Sequence, residues 1–149
     1  MNTRKMSILV SMKFIENPDE ILERSLEVAK KYDAKIYIIH VIEDMPKLSF
    51  YSDAYRLWEE FRDQAVKSTL QEMTKYIHTL SKDFSDIEPI IDVGSPCEKV
   101  IEQADKLDVD LIIVGRHSRS GVSQLMHKNV GNKIIRMARR PVLSFYIES

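Results

Sequence analysis

Short, uninterrupted apolar runs recur along this chain, and each is separated from the next by a stretch whose apolar residues follow helical spacing. Continuous apolar runs without polar alternation are typical of strands that are buried on both faces of a sheet. Strands that alternate with helices form βαβ units, which make the strands parallel and the crossovers right-handed. The pattern therefore predicts a parallel α/β sheet covered by helices. The predicted strands are residues 6–10, 34–42, 87–93, 110–114 and 142–147.

The helices have recognisable start signals and spacing. Asn17 can cap the first helix, Pro18 suits its first position, and Glu20 completes a capping-box pattern. A long second helix is predicted from about residue 53 to residue 82, because its apolar residues recur at near-helical spacing along its whole length. Further helices are predicted after the turn at residues 94–96 and over residues 130–138, with a long loop over residues 115–128 before the last one.

The composition limits the class of protein. The chain has 149 residues, 44% apolar and 30% charged, which fits one domain over residues 1–149. No apolar run approaches the roughly 20 residues that a membrane-spanning helix needs. The single Cys97 excludes a disulfide framework within the chain. We therefore expect a cytoplasmic protein, with neither a membrane nor a nucleic acid as its partner.

Positive charge is concentrated in the last quarter of the chain. Seven Lys or Arg residues and no Asp or Glu lie between the fourth predicted strand and the end of the last one, although the net charge of the chain is −1. This segment is a candidate anion-facing region. For Arg136, Arg139 and Arg140 we favour a structural role, in which they cap a helix or pair with acidic side chains. For Arg116 and Arg119 both roles stay open.

A family resemblance emerges from several motifs taken in order. Residues 110–121 read Asp-Leu-Ile-Ile-Val-Gly-Arg-His-Ser-Arg-Ser-Gly and resemble the fourth strand and phosphate loop of universal stress proteins. Residues 138–143 resemble the closing strand of that family, and residues 8–10, 40–42 and 93–96 match its other landmarks. The resemblance covers essentially the whole chain. It implies a doubly wound, five-stranded parallel sheet of order 3-2-1-4-5 with helices on both faces, in which ligands bind beyond the carboxyl ends of the strands.

The resemblance also implies a nucleotide site, from which this sequence departs. Nucleotide-binding members carry G-x2-G-x9-G-[ST] after the fourth strand, where glycine lets backbone N–H groups approach phosphate oxygens. Gly115 keeps the first glycine, whereas Ser118, Lys128 and Asn129 stand at the other three positions. Those members also carry an Asp after the first strand that contacts the nucleotide, and Lys13 stands at the matching position.

We therefore expect a stress-response or regulatory protein that does not bind ATP tightly and requires no cofactor. Two alternatives stay open: an adenine-nucleotide sensor of the same family that uses basic side chains in the loop, and a small nucleotide-dependent enzyme. The altered pocket could also hold a smaller anion. The candidate pocket residues are Lys13, Val41, Gly115, Arg116, Ser118, Arg119, Lys128 and Asn129.

The sequence offers no constellation typical of catalysis or metal binding. His117 and Ser118 are adjacent, but the G-x-S-x-G pattern is missing, and a catalytic triad is defined by geometry rather than by adjacency. The four histidines include no i, i+4 pair, and Cys97 has no C-x-x-C partner. We interpret His40 as a packed core residue, and Trp58 with the aromatic residues near it as helix-to-sheet packing.

The last predicted strand is a candidate dimer interface. It is strongly β-forming and carries no charge, and Pro141 precedes it rather than interrupting it. Edge strands of native proteins are usually protected by charge, proline or a bulge. Many universal stress proteins pair this strand with its two-fold copy, so the resemblance implies an antiparallel homodimer. The expected interface residues are Val142, Leu143, Ser144, Phe145 and Tyr146; further protein partners are expected but not identified by the sequence.

Overall fold

A computed structural model describes residues 4–13, 18–44, 53–117 and 130–147 of the chain. The strands are β1 (Ser7–Ser11), β2 (Lys35–Glu43), β3 (Ile87–Gly94), β4 (Leu111–His117) and β5 (Val142–Ile147). The helices are α1 (Pro18–Tyr32), α2 (Asp53–Leu80), α3 (Pro96–Leu107) and α4 (Val130–Met137). The strands form one sheet of order β3-β2-β1-β4-β5, and every neighbouring pair is parallel, which confirms the predicted topology.

Alternate residues of the central strands serve two separate cores. On β1, Ile8 and Val10 pack with α1 and α2, whereas Leu9 packs with α3 and α4. All three side chains are fully buried. A sheet that is covered on both faces needs apolar residues at every position of its central strands, which explains the uninterrupted apolar runs. The prediction of helices on both faces is therefore confirmed.

Two helices end on an aspartate in the left-handed conformation. Asp33 follows α1 and Asp108 follows α3, and each has a φ of 50°. After each of them the next backbone N–H donates to a carbonyl in the last turns of the helix, Ala34 to Ala29 at 2.9 Å and Val109 to Ala104 at 3.1 Å. These bonds satisfy carbonyl groups that the helix end would otherwise leave unpaired, in the manner of a Schellman motif.

Ion pairs join elements at the amino ends of the strands. Arg4, just before β1, donates to Asp110, just before β4, with 2.7 Å between nitrogen and oxygen. Arg140, just before β5, donates to Asp105 and Asp108 at the end of α3. Ion pairs at a protein surface each contribute little to stability, but they give Arg4 and Arg140 carboxylate partners at this end of the sheet. The structural role predicted for Arg140 is therefore confirmed.

Strand β4 is longer than the sequence predicted. It extends to His117, so Gly115 and Arg116 belong to the strand and not to the loop that was predicted to begin at Gly115. They pair with Phe145 and Tyr146 of β5. Glycine is unfavourable inside strands, which favoured a loop at this point. Pairing with a neighbouring strand outweighs that local preference.

Helix α2 matches its predicted extent but is buried only in part. Its spacing predicted one inward stripe along the whole helix, and Met73 and Ile77 are indeed buried. Leu57 and Phe61, however, are 54% and 60% exposed, which corrects the prediction for the amino-terminal half. The 28 residues of α2 span about 42 Å, whereas the nine residues of β2 span about 30 Å. The sheet is too short to cover the entire helix.

Candidate functional site

Three of the predicted pocket residues fall at one level at the carboxyl ends of three neighbouring strands. Ser11, the last residue of β1, is paired with β2 on one side and with β4 on the other. Counting two residues on from these pairs places Lys13 level with Val41 on β2 and with Arg116 on β4. Lys13 and Arg116 are exposed. The carboxyl ends of β2, β1 and β4 thus bring together residues that lie 28 and 103 positions after Lys13 in the chain.

The same level continues to both edges of the sheet. Val41 is paired with Asp92 on β3, and Arg116 is paired with Tyr146 on β5. We call the five residues Asp92, Val41, Lys13, Arg116 and Tyr146 the carboxyl-end row. The row runs from one acid, across an apolar residue and two cations, to an aromatic ring.

The row belongs to the face of the sheet that α3 and α4 cover. Val41 packs against the core on that side. Met12 belongs to the opposite core, with α1 and α2, so the alternation along β1 assigns Lys13 to the same face as Val41. The guanidinium carbon of Arg116 lies 5.7 Å from the centre of the Tyr146 ring, in a cation–π arrangement.

The acid at the end of the row is already hydrogen-bonded. Oδ1 of Asp92 accepts from the backbone N–H of Val93 at 2.8 Å, and Oδ2 accepts from Nε2 of Gln103 on α3 at 3.2 Å. Val41 stands between this carboxylate and Lys13 in the row. Asp92 therefore anchors α3 to β3 and is engaged on both of its oxygens.

Side-chain packing explains why position 115, the first glycine of the expected phosphate loop, holds a residue without a Cβ. A Cβ at this position would lie 2.8 Å from Cδ1 of Ile147 and 3.2 Å from Cδ1 of Ile21. Its backbone is part of β4 and pairs with β5. Close packing between α1 and the sheet therefore accounts for the glycine without any phosphate.

His40 lies beside the row, on the opposite face of β2. Its side chain is buried, and Nδ1 lies 3.4 Å from the carbonyl oxygen of Met12. Burial lowers the pKa of His40 below its usual value; the bond to Met12 acts in the other direction, and the positive charge of Lys13 adds to the lowering. The interpretation of His40 as a packed core residue agrees with this geometry.

A bond between Trp58 and Asp44 was missed by the sequence reasoning. Nε1 of Trp58 on α2 donates to Oδ1 of Asp44, just after β2, at 2.7 Å. The bond attaches the amino-terminal half of α2 to the carboxyl end of the sheet. A tryptophan 14 residues after an acid carries no sequence signal for such a contact, because the intervening chain can bring many residue pairs together.

Several predicted residues lie outside the described part of the chain, namely Ser118, Arg119, Lys128 and Asn129. Within the described residues, no group of three or more His, Cys, Asp or Glu side chains could hold a metal ion. None of the described helices combines the length and the apolar composition that a membrane crossing requires. Cys97 is buried near Met137, and burial raises the pKa of its thiol.

Strand β5, the predicted dimer interface, lies at one edge of the sheet and leaves backbone donors open. The N–H of Ile112 donates to the carbonyl of Pro141, which sets the alternation along β5. Leu143 and Phe145 consequently direct their backbone groups towards β4. The residues between and beside them, Val142, Ser144 and Tyr146, direct theirs towards the open edge.

Strand β3, at the other edge of the sheet, contains a proline, whereas β5 contains none. The N–H of Ile36 donates to the carbonyl of Asp86, so Pro89 in the middle of β3 faces away from β2. Proline has no N–H to offer an incoming strand, which protects this edge. The two edges therefore differ in their capacity to pair.

Comparisons with known proteins agree with this architecture. The model of the Universal stress protein family matches residues 6–145 of the chain. Universal stress protein A homolog 2 of Coxiella burnetii is 31% identical over 144 residues, which cover 95% of this chain and 94% of that protein. The solved structure of universal stress protein UspA from Lactobacillus plantarum has a TM-score of 0.75 at 16% identity and covers 97% of this chain and 99% of its own. The universal stress protein from Archaeoglobus fulgidus, solved in complex with dAMP, has a TM-score of 0.58 at 20% identity, with 93% and 96% covered.

Proposed function

Because this chain belongs to the universal stress protein family, we propose that it is a stress-response or regulatory protein that does not bind ATP tightly. The observation that carries the proposal is the place of Lys13 in the carboxyl-end row. The family resemblance puts a nucleotide-contacting acid at this position, and here the position holds a cation level with a second cation, Arg116.

The retained Gly115 does not argue against this proposal. Its lack of a side chain is accounted for by the approach of Ile147 and Ile21, so its presence gives no separate support for a phosphate loop. The other loop positions of the family pattern hold Ser118 and Lys128, whose side chains would occupy space that glycine leaves to a phosphate.

The test is a calorimetric titration of the purified protein with ATP. We expect binding weaker than about 100 μM, and a dissociation constant of about 1 μM or lower, which corresponds to roughly −8 kcal/mol, would refute the proposal. The triple variant Lys13→Asp, Ser118→Gly, Lys128→Gly should bind ATP more tightly than the wild type. An unchanged affinity in this variant would show that the three replaced residues are not the reason for weak binding.

An adenine-nucleotide sensor remains the second candidate. The Archaeoglobus relative was solved with dAMP, and the two cations of the carboxyl-end row could neutralise phosphate charge in place of backbone donors. The ATP titration of the wild type decides between the two functions. An enzyme of the same group is a third possibility, and we propose a non-catalytic role; sustained release of phosphate from ATP by the purified protein would contradict it.

The proposed assembly is a homodimer through β5 in the cytoplasm. The open donors of Val142, Ser144 and Tyr146, set against the Pro89-protected edge, support pairing at β5 rather than at β3. A single buried cysteine is compatible with a reducing compartment. An antiparallel pair about a two-fold axis would extend the sheet across both subunits.

A further inference from the structure

We propose that Lys13 and Arg116 together bind a small oxyanion of phosphate size, without recognising adenosine. This inference rests on the proposed function, because it takes the altered pocket to be one that does not hold ATP tightly. It names the class of ligand that the same site would accept instead.

Two like charges are juxtaposed at this site. The β1–β4 ladder ends at the pair Ser11–Val114, and continuing its register by two residues sets Lys13 opposite Arg116 at the carboxyl ends of these strands. Neighbouring strands lie about 4.8 Å apart, and like charges directly opposite each other destabilise a sheet. A doubly charged anion between the two side chains would replace their repulsion with two attractions.

Among the described residues, these two cations lack a carboxylate partner. Within the described residues, no ion pair joins Lys13 or Arg116 to an acid. Asp92, the acid of the carboxyl-end row, is separated from Lys13 by Val41 and bonded through both oxygens. The cations at the opposite end of the sheet, such as Arg4 and Arg140, do have carboxylate partners.

The shapes of the two cationic groups suit a small oxyanion. The guanidinium of Arg116 is planar and can donate two parallel bonds to one oxyanion, and the ammonium of Lys13 adds a compact positive charge. The contact with Tyr146 favours a restricted position for the guanidinium. The side chain of Val41 is apolar and packs into the core beside α3 and α4, so this side chain offers no hydrogen bond to a ribose or a base.

The experiment is a titration of the full chain, at constant ionic strength, with inorganic phosphate, AMP and adenosine in separate arms. Amide chemical shifts around Lys13 and Arg116 report the site. We expect phosphate to bind with a dissociation constant on the order of 1 mM, AMP to bind with a similar constant, and adenosine not to bind. AMP binding more than about tenfold tighter than phosphate would mean that adenosine is recognised, and the inference would be wrong.

Two variants and a matched control test the residues. Lys13→Ala and Arg116→Ala should each weaken phosphate binding by about tenfold, as expected for the loss of a charge-assisted bond. Lys31→Ala removes another exposed lysine, at the end of α1 on the opposite side of the sheet, and should leave binding unchanged. An equal loss in Lys31→Ala, or no loss in the two row variants, would overturn the inference.

Thermal stability gives a second readout that does not depend on assigned resonances. Phosphate should raise the midpoint temperature of the wild type and not that of Lys13→Ala, because a ligand stabilises only the state that binds it. In phosphate-free buffer, Lys13→Ala should unfold at the same temperature as the wild type or higher, since it removes a repulsion. Weak ATP binding without phosphate binding would refute this inference alone, whereas micromolar ATP binding would refute the proposed function.

Discussion

Gly115 on β4 and Ile147 on β5 approach each other so closely that a Cβ on the glycine would lie 2.8 Å from Cδ1 of the isoleucine. Carbon atoms in van der Waals contact are about 3.5–4.0 Å apart, so a larger residue at position 115 must displace its neighbour. The nearest atoms are the ends of side chains, which limits the cost without removing it.

We expect Gly115→Ala to lower the free energy of unfolding by about 1 kcal/mol, the lower end of the range for overpacked cores. Urea denaturation measures the change. The matched background is Ile147→Val, which removes the clashing Cδ1. In that background Gly115→Ala should cost clearly less, and an identical cost in both backgrounds would mean that Ile147 is not the obstacle.

The two left-handed aspartates provide a contrast in helix capping. The side chain of Asp33 is 98% exposed, and the nitrogen of its ion-pair partner, Nζ of Lys5, lies 3.8 Å from the carboxylate. The carboxylate of Asp108, in contrast, accepts a hydrogen bond from Arg140 at 3.1 Å. Glycine adopts positive φ without the steric cost of a Cβ. Asp33→Gly should therefore raise the free energy of unfolding by about 0.5–1 kcal/mol.

Asp108→Gly should give a smaller gain or a loss, because it also removes the bond from Arg140. Asp33→Ala serves as the control for loss of charge, since alanine keeps the unfavourable Cβ at the same φ. Chemical denaturation of the three variants tests this order, and a stability of Asp33→Ala equal to that of Asp33→Gly would contradict the steric explanation.

Stability should depend on pH through His40. The pKa of His40 is lowered in the folded state, mainly by burial, so the unfolded chain binds a proton more readily. The free energy of unfolding then falls as pH drops below about 6.5 and through the lower folded pKa, with a slope of at most about 1.4 kcal/mol per pH unit for one proton.

The substitution His40→Asn should flatten this dependence between pH 7 and pH 5. Denaturation curves over that range measure the slope for both proteins. His78→Asn, which removes an exposed imidazole at the end of α2, is the control and should keep the wild-type slope. If the free energy of unfolding of His40→Asn depends on pH as steeply as that of the wild type, the pH dependence comes from other groups.

Dimerisation should depend on the backbone donors that face the open edge of β5. Ser144→Pro removes one of these donors and leaves the ladder with β4 intact, because Leu143 and Phe145 provide the bonds on that side. We expect the wild type to scatter light as a dimer at tens of micromolar and Ser144→Pro to scatter as a folded monomer, whose midpoint temperature falls only by the stabilisation that the dimer contact supplied.

The control for this experiment is Phe145→Pro, which interrupts the ladder within the subunit and should lower the midpoint temperature further than Ser144→Pro does. A monomeric wild type at about 50 μM, or a dimeric Ser144→Pro variant, would show that β5 is not the interface.

The site was less accessible to sequence reasoning than the fold. Lys13 could be named as a candidate because it stands where the family pattern has an acid, and Arg116 because it is a basic residue next to the first glycine of the family loop. Their shared level with Val41 depends on the register of three strands, and register comes from long-range pairing that no local pattern contains. The bond from Trp58 to Asp44 depends in the same way on where α2 begins relative to the end of β2.

The sequence by itself determined the number, order and kind of the elements of this protein. Apolar runs that must be buried on both faces, and helical stripes between them, leave a parallel sheet with helices on each side as the arrangement that buries them all. The tertiary structure alone decided that β4 continues to His117, that Gly115 is a packing glycine beside Ile147, and that the two sheet edges differ. Local patterns record which side chains avoid water, whereas these features depend on which distant atoms meet, and that is settled only when the whole chain packs.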